Sequence, residues 1–257
     1  MQVGGLSFDD EDVAAAYAHR TPYPPAMHEA LVDLAVGRGA LLDLGCGPGK
    51  IAGALAGDFA RVDAVDLSPT MISVAMASHP AANIQWIVGP GETAAIRGPY
   101  DLIVAGESLH WMDHAVLMPR LADALAPGAV MALVNGDGAY EAPWQPQFLT
   151  FLMRWVEVFG DVWNSPAVKV RNAAHEPWFD SLGNTAFTHM HTQDVASVIR
   201  GEHSRATWTL ARMGPALAAR FDAELETILA PHAVDGVLTF QVRSVVTWGR
   251  PRRSSRE

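Results

Sequence analysis

Two groups of residues in this chain are of types and at spacings that do chemistry. The first is a glycine loop flanked by acids. Residues 41–55 read LLDLGCGPGKIAGAL, so Gly45, Gly47 and Gly49 alternate with Cys46 and Pro48. Asp43 precedes them, and Asp66 follows about 20 residues on. Such a loop brings a ligand against the backbone, and a carboxylate at that distance can reach ribose hydroxyls. The second group follows a later apolar run: Glu107, His110 and His114, three and four residues apart. An imidazole titrates near neutrality and can take a proton from a substrate.

The loop departs from two familiar phosphate-binding patterns. The triphosphate cradle, Gly-x-x-x-x-Gly-Lys-Ser/Thr, uses its last hydroxyl to bind magnesium. Here Gly45 stands one residue too close to Gly49-Lys50, and Ile51 replaces the hydroxyl. The dinucleotide fingerprint is Gly-x-Gly-x-x-Gly, in which the third glycine permits close helix–strand packing. Gly45 and Gly47 fit it, but Lys50 fills the third place.

The elements that must position these residues are legible from periodicity. Short apolar runs at 40–45, 61–68, 84–90, 101–108 and 129–137 predict buried strands. Helical stretches lie between them at 50–59, 69–79 and 114–128. The last has Leu117, Leu121 and Leu125 at four-residue spacing and stops at Pro127-Gly128. Strands alternating with helices predict an α/β fold with a parallel sheet covered on both faces. After residue 140, Trp144, Phe148, Phe151, Trp155 and Phe159 form one aromatic stripe along a helix, read first as core packing. Two further strands, 184–192 and 237–249, flank helical material at 213–230 and are expected to close the sheet edge as an antiparallel pair.

The acid-x-Gly-x-Gly-x-Gly loop with its strand-end acid resembles the class I S-adenosylmethionine-dependent methyltransferases. The resemblance is specific over residues 12–137 and weaker beyond. It implies a Rossmann-like, mostly parallel seven-stranded sheet with an antiparallel C-terminal strand and a helical lid insertion. One domain is expected over 1–257: a helical cover (1–36), a cofactor-binding core (37–137), the lid (138–183), late strands and helix (184–250) and a disordered basic tail (251–257). The implied cofactor, S-adenosylmethionine, has a ribose and an adenine but no phosphates. It needs backbone contact and carboxylates rather than a strong anion nest. The resemblance places Asp43 near its methionine end, Gly45, Cys46, Gly47 and Gly49 beneath it, and Asp66 on the ribose. Leu67 and Met71, in DLSPTMI, would pack on the adenine. Gly91 and Glu92, in GPGETAAI, would meet its edge, where Pro90 replaces a common hydrogen-bonding residue. Glu107 completes the cofactor set. The Leu-His-Trp of DLIVAGESLHWMD and the segment YAHRTPYPPAMHEAL are similar to a small-molecule subgroup resembling trans-aconitate methyltransferase. In that subgroup the N-terminal helix lies over the cofactor.

The expected reaction is in-line methyl transfer to a small, fairly apolar metabolite of secondary metabolism, with S-adenosylhomocysteine as product. Holding the reactants at attack distance supplies much of such catalysis. His110, just past the fourth strand, is the candidate base and favours oxygen as acceptor. Tyr17, Tyr23, Trp111, Trp144 and Phe148 are candidate acceptor-binding residues, with Trp163 and Trp178 beside them. Glu107, His110 and His114 lack an evident fourth ligand, so no metal is expected. His189 and His191 read as one polar strand face, and Cys46 as a small loop residue rather than a nucleophile.

Composition narrows the remaining classes. The formal net charge is −10, which argues against nucleic acid as a partner and against a protein or RNA methyltransferase. No apolar run approaches the ~20 residues of a membrane helix, and the start lacks the order of a signal peptide. A cytoplasmic monomer or homodimer acting on a small molecule is the expectation. A protein that holds the cofactor without transferring methyl, such as a cyclase or scaffold, is the alternative. A single cysteine leaves no intramolecular disulfide.

Overall fold

A computed structural model describes residues 10–160, 169 and 172–256 of the chain. Its strands are β1 (Ala40–Leu44), β2 (Arg61–Asp66), β3 (Ile84–Val88), β4 (Tyr100–Gly106), β5 (Leu125–Tyr140), β6 (Phe179–Asp194) and β7 (Val237–Pro251). They form one sheet in the order β3-β2-β1-β4-β5-β7-β6. β1 to β5 pair in parallel. β7 runs antiparallel between β5 and β6. The strand order reverses direction at β1, with β2 on one side and β4 on the other. That reversal opens a crevice at the carboxyl ends of β1 and β4, where ligands of open α/β sheets bind.

The helices are α1 (Glu11–Tyr17), α2 (Pro25–Leu34), α3 (Lys50–Leu55), α4 (Pro69–Ser78), α5 (His114–Ala124), α6 (Gln145–Val158), α7 (Val195–Glu202) and α8 (Leu210–Leu229). Alternate residues of β1 face opposite layers. Leu41 packs in a core with Leu31 of α2 and Ile51 of α3, while Leu42 shares one with Leu117 and Leu121 of α5. Side-chain caps start several helices: Ser68 accepts from Met71 N on α4, Asp113 from Ala115 N on α5 and Asp194 from Ser197 N on α7. None of the described helices is long and apolar enough to cross a membrane.

Three expectations change. α5 ends at Ala124, short of Pro127-Gly128, and Leu125 is already extended and paired with Tyr100. Proline disfavours helical backbone in the residue before it, so Ala126 is lost to the helix as well. The basic tail is not disordered over its described residues. Pro251 still belongs to β7, Arg252 pairs with Asp180 at 3.0 Å, Arg253 pairs with Asp123 at 2.7 Å, and Arg256 also reaches Asp180. Acids near the sheet edge thus hold its cations.

The third is the acceptor-lining place of Trp144 and Phe148, because the aromatic stripe of α6 is core packing. The stripe faces α8 and β7, not the crevice. Phe151 and Trp155 lie 4.8 and 5.2 Å from Phe221 of α8, and Trp144 lies 5.4 Å from Phe240 of β7. Together they form a separate core at the far end of the sheet. Residues 161–168 and 170–171 of the expected lid, with Trp163, lie outside the described residues.

Candidate cofactor and acceptor site

The glycine loop leaves β1 in a conformation that side chains resist. Gly45, Gly47 and Gly49 have φ of 65°, 52° and 82°, in the left-handed region that glycine enters at little cost. At Gly45 space is also decisive, because an added Cβ would lie 2.3 Å from the Ser108 Cβ. Two loop amides, of Gly45 and Cys46, donate to Val65 O at 2.8 and 3.0 Å, stitching the loop to β2. Gly47 N then donates to Asp66 Oδ2 at 2.7 Å, and Ser68 N donates to Asp66 Oδ1 at 2.9 Å.

The two acids have different roles. Asp66 lines a cavity of about 1030 Å³ that opens over the loop, together with Gly45 and Gly47. Asp43 does not reach the cavity. It is buried under the loop and accepts from Ala52 N of α3 at 2.9 Å. Burial raises its carboxyl to about 7, against the lowering effect of that amide. Cys46 is also buried below the cavity, and burial pushes its thiol well up, away from nucleophilic character. Gly49 starts α3 and packs on Trp86 rather than lining the cavity.

Past β2, Leu67 lines the cavity with nearly half its surface exposed, an apolar platform without protein cover. Met71 supports it from beneath. Gly91 and Glu92 form the opposite wall. That wall is pinned to α5: Asp113 N donates to Glu92 Oε1 at 2.7 Å, and Arg120 donates to Gly91 O at 2.8 Å.

The far end of the cavity is built by the segment after β4. Glu107 takes a positive φ of 51°, uncommon for a residue with a side chain. Gly136 N donates to its Oε1, and burial raises its carboxyl. Ser108 donates to Leu44 O at 2.6 Å. His110 sits on a short 3-10 turn, Leu109–Trp111, with its ring 4.8 Å from that of Trp111, and both line the cavity. His114 lines it too, with Nε2 3.0 Å from Leu109 O. No group of three or more metal-binding side chains occurs among the described residues.

Tyr17 closes the cavity beside Gly47, under the guanidinium of Arg20, which stacks 4.1 Å from the ring centroid. Trp178 joins the lining from the segment before β6. Of the expected acceptor residues, Tyr17 and Trp111 line the cavity, and three are elsewhere. Trp144 is buried in the α6–α8 core, and Phe148 is partly buried against it. Tyr23 packs behind the end of β4, its hydroxyl 3.2 Å from where a Cβ on Gly106 would stand.

Sequence reasoning missed an ionic network beside Tyr17. Asp137, at the end of the parallel part of β5, pairs with Arg20 at 3.3 Å and Arg205 at 3.5 Å. Arg205 also pairs with Glu202 at 3.2 Å. Burial alone would raise the Asp137 carboxyl, but the charges of Arg205, Arg20 and Lys50 hold it below its usual range. The partners are far apart in the chain, so spacing carries no sign of them.

Comparison with known proteins agrees with this geometry. Residues 41–128 match a family model described as a methyltransferase domain. A trans-aconitate 2-methyltransferase of Paracidovorax citrulli is 35% identical over 190 residues, 70% of this chain and 58% of that protein. One from Streptomyces avermitilis is 28% identical over 210 residues, covering 74% of this chain and 76% of its own. The chain spans about half the length of the first curated relatives it matches. A solved structure from Anaeromyxobacter dehalogenans, provisionally assigned as a type II methyltransferase, shares the fold. Its TM-score is 0.69 at 22% identity, over 92% of this chain and 99% of that one.

The sheet order and the glycine loop with its strand-end acid define a Rossmann-like methyltransferase fold. Residues 41–128 carry a methyltransferase domain of the class I S-adenosylmethionine-dependent type, and the chain is similar to proteins named for trans-aconitate. S-adenosylmethionine is the cofactor of this family, and the site fits it on its own terms: exposed glycine backbone at Gly45 and Gly47, an apolar platform at Leu67 and a carboxylate at Asp66.

Proposed function

We propose that this protein transfers the methyl group of S-adenosylmethionine to an oxygen atom of a small acceptor. The observation that carries the reading is the single cavity that joins Asp66, Leu67 and Tyr17 to Glu107, His110 and Trp111. Gly45, Gly47 and Asp66 would hold the ribose and methionine portions, and Leu67, Met71, Gly91 and Glu92 the adenine. When bound, the cofactor supplies an electrophilic methyl group on a sulfonium. The chain's own contribution is position and exclusion of water. The amide bonds to Asp66 fix its carboxylate, and the Tyr17 side chain covers the loop.

The acceptor end has apolar walls at Tyr17, Trp111 and Trp178, which suit an acceptor with an apolar body. His110 is the residue proposed to take the proton of a hydroxyl acceptor. A neutral imidazole does so near pH 7, with a rate gain of about 10²–10⁴. A second reading is favoured by the relatives' names: a carboxylate acceptor, as in trans-aconitate, is already deprotonated and needs no base. His110 then orients the acceptor against Trp111. The proposed setting is a small-molecule acceptor with no nucleic-acid or membrane partner, in a cytoplasmic monomer or homodimer.

The test is an acceptor panel with S-adenosylmethionine carrying an isotopically labelled methyl group, read by mass spectrometry. Trans-aconitate and other polycarboxylates form one arm, and phenols and aliphatic alcohols the other. A labelled methyl ester or ether supports oxygen transfer and tells the two readings apart. Label on nitrogen or carbon contradicts it. His110→Ala should cut turnover of a hydroxyl acceptor at least 100-fold with cofactor affinity unchanged, and flatten the acid limb of the pH profile. Unchanged turnover removes the base role.

A further inference from the structure

A second pocket, of about 730 Å³, lies on the other side of the strap that follows α1. Tyr17 lines the cofactor cavity, while the next residues, Ala18 to Arg20, line this one. Its chemistry is unusual for a chain of net charge −10. Arg20, Lys50, His19, His28, His79 and His191 all line it. They come from the strap, α2, α3, the end of α4 and the edge strand β6, so the fold and not one local segment gathers them.

Most charges around it are already committed. Arg20 is occupied by Asp137, Ser204 and Tyr17. Asp194, the carboxylate of the lining, caps α7 by accepting from Ser197 N at 2.8 Å. The two ring nitrogens of His19 lie against Ser197 Oγ and the Arg200 guanidinium. Lys50 differs. Its ammonium donates to two backbone carbonyls, Thr21 O at 3.0 Å and Arg20 O at 3.3 Å. An ammonium has three donors, and no carboxylate lies within ion-pair distance of Lys50 among the described residues. His28 Nε2 is buried and has no hydrogen-bond partner. Arg20 and Lys50 outnumber Asp194, the carboxylate of the lining, and a concave site with an excess of one sign focuses the field and draws counter-ions.

We propose that this pocket binds a small oxyanion, a phosphate or carboxylate group, with the Lys50 ammonium as principal partner and the surrounding imidazoles as donors. A metal ion is the poorer occupant, because no three ligating side chains converge there among the described residues. Burial lowers Lys50 to about 8, and an anion beside it reverses that cost by linkage. The site is independent of methyl transfer, though Lys50 opens α3 directly behind the glycine loop.

The test follows the histidine ring signals of the full-length protein by NMR, in excess S-adenosylhomocysteine. Inorganic phosphate is titrated in one series and succinate in another, each against chloride at equal ionic strength. The expected result is saturable movement of the His28, His79 and His191 signals, with His110, His114 and His175 still; the tighter titrant names the oxyanion. Lys50→Gln should weaken binding roughly tenfold or more, the loss of one charged hydrogen bond, and Lys50→Arg should restore most of it. His191→Asn, on the exposed edge strand, should weaken it several-fold, and it carries the comparison if Lys50→Gln does not fold. The proposal is overturned by signals that move no more than in chloride, by movement confined to the cofactor-cavity histidines, or by undiminished affinity in the folded variants.

Discussion

Gly47 and Asp66 are joined by a 2.7 Å hydrogen bond from the glycine amide to the carboxylate Oδ2. The bond couples the loop after β1 to the acid that ends β2, so one side chain both shapes the loop and faces the cofactor cavity. Asp66→Ala removes both functions. Calorimetry should show cofactor affinity falling about 10–100-fold, the scale of one or two charge-assisted hydrogen bonds. Affinity within twofold of wild type would contradict the assignment.

Asp43 is the acid that does not reach the cavity, and its chemistry is testable through pH. Its folded value is raised to about 7 from 3.8. Between those values the folded state holds a proton that the unfolded chain has released. Its contribution to stability is therefore greatest below about pH 4 and declines as pH rises towards 7. Asp43→Asn removes that decline while keeping an oxygen for Ala52 N. The difference in unfolding free energy between variant and wild type should grow in the variant's favour from pH 5 to pH 8, by an order of 2–4 kcal/mol. A difference constant with pH would show that Asp43 is ionised throughout.

Asp137 neutralises the buried guanidinium of Arg20 and the partly exposed one of Arg205. Asp137→Ala leaves Arg20 and Arg205 facing each other without their shared acid, and should cost about 3–5 kcal/mol in urea unfolding. In the Arg20→Met background the same change should cost clearly less, because one of the stranded charges is gone. Equal costs in both backgrounds would mean that the pair is not coupled.

Trp144 separates packing from acceptor binding. It is buried against Phe240 and His232, away from the cavity. Trp144→Ala should destabilise the fold by about 3–5 kcal/mol and leave the acceptor KM within twofold. A raised KM in a stably folded variant would return α6 to the acceptor site.

The parallel half of the fold was legible because its signals are local. Each strand is a short apolar run with a glycine or acid at its end, and the loop at Gly45–Gly49 announces itself by glycine at positions that demand positive φ. Asp66, Leu67 and Glu92 follow because strand-end residues in this topology face one crevice. The later residues were harder. The stripe of Trp144, Phe148 and Trp155 states that α6 has an apolar face, but periodicity cannot say which surface covers it; Phe221 and Phe240, about 70 and 100 residues away, decided that. The pairing of Asp137 with Arg20 and Arg205 is similarly non-local. Asp43 shows a third limit. The motif marks the residue, but only its burial and the Ala52 amide reveal that it braces the loop from below.

The most direct measurement is calorimetric titration of the purified protein with S-adenosylhomocysteine, S-adenosylmethionine and NAD in parallel. The account predicts one saturable site for each of the first two and no measurable heat from NAD, because Lys50 stands in the place of the dinucleotide loop's third glycine. Binding of NAD in preference to the methionine nucleotides, or none by either of them, would contradict it.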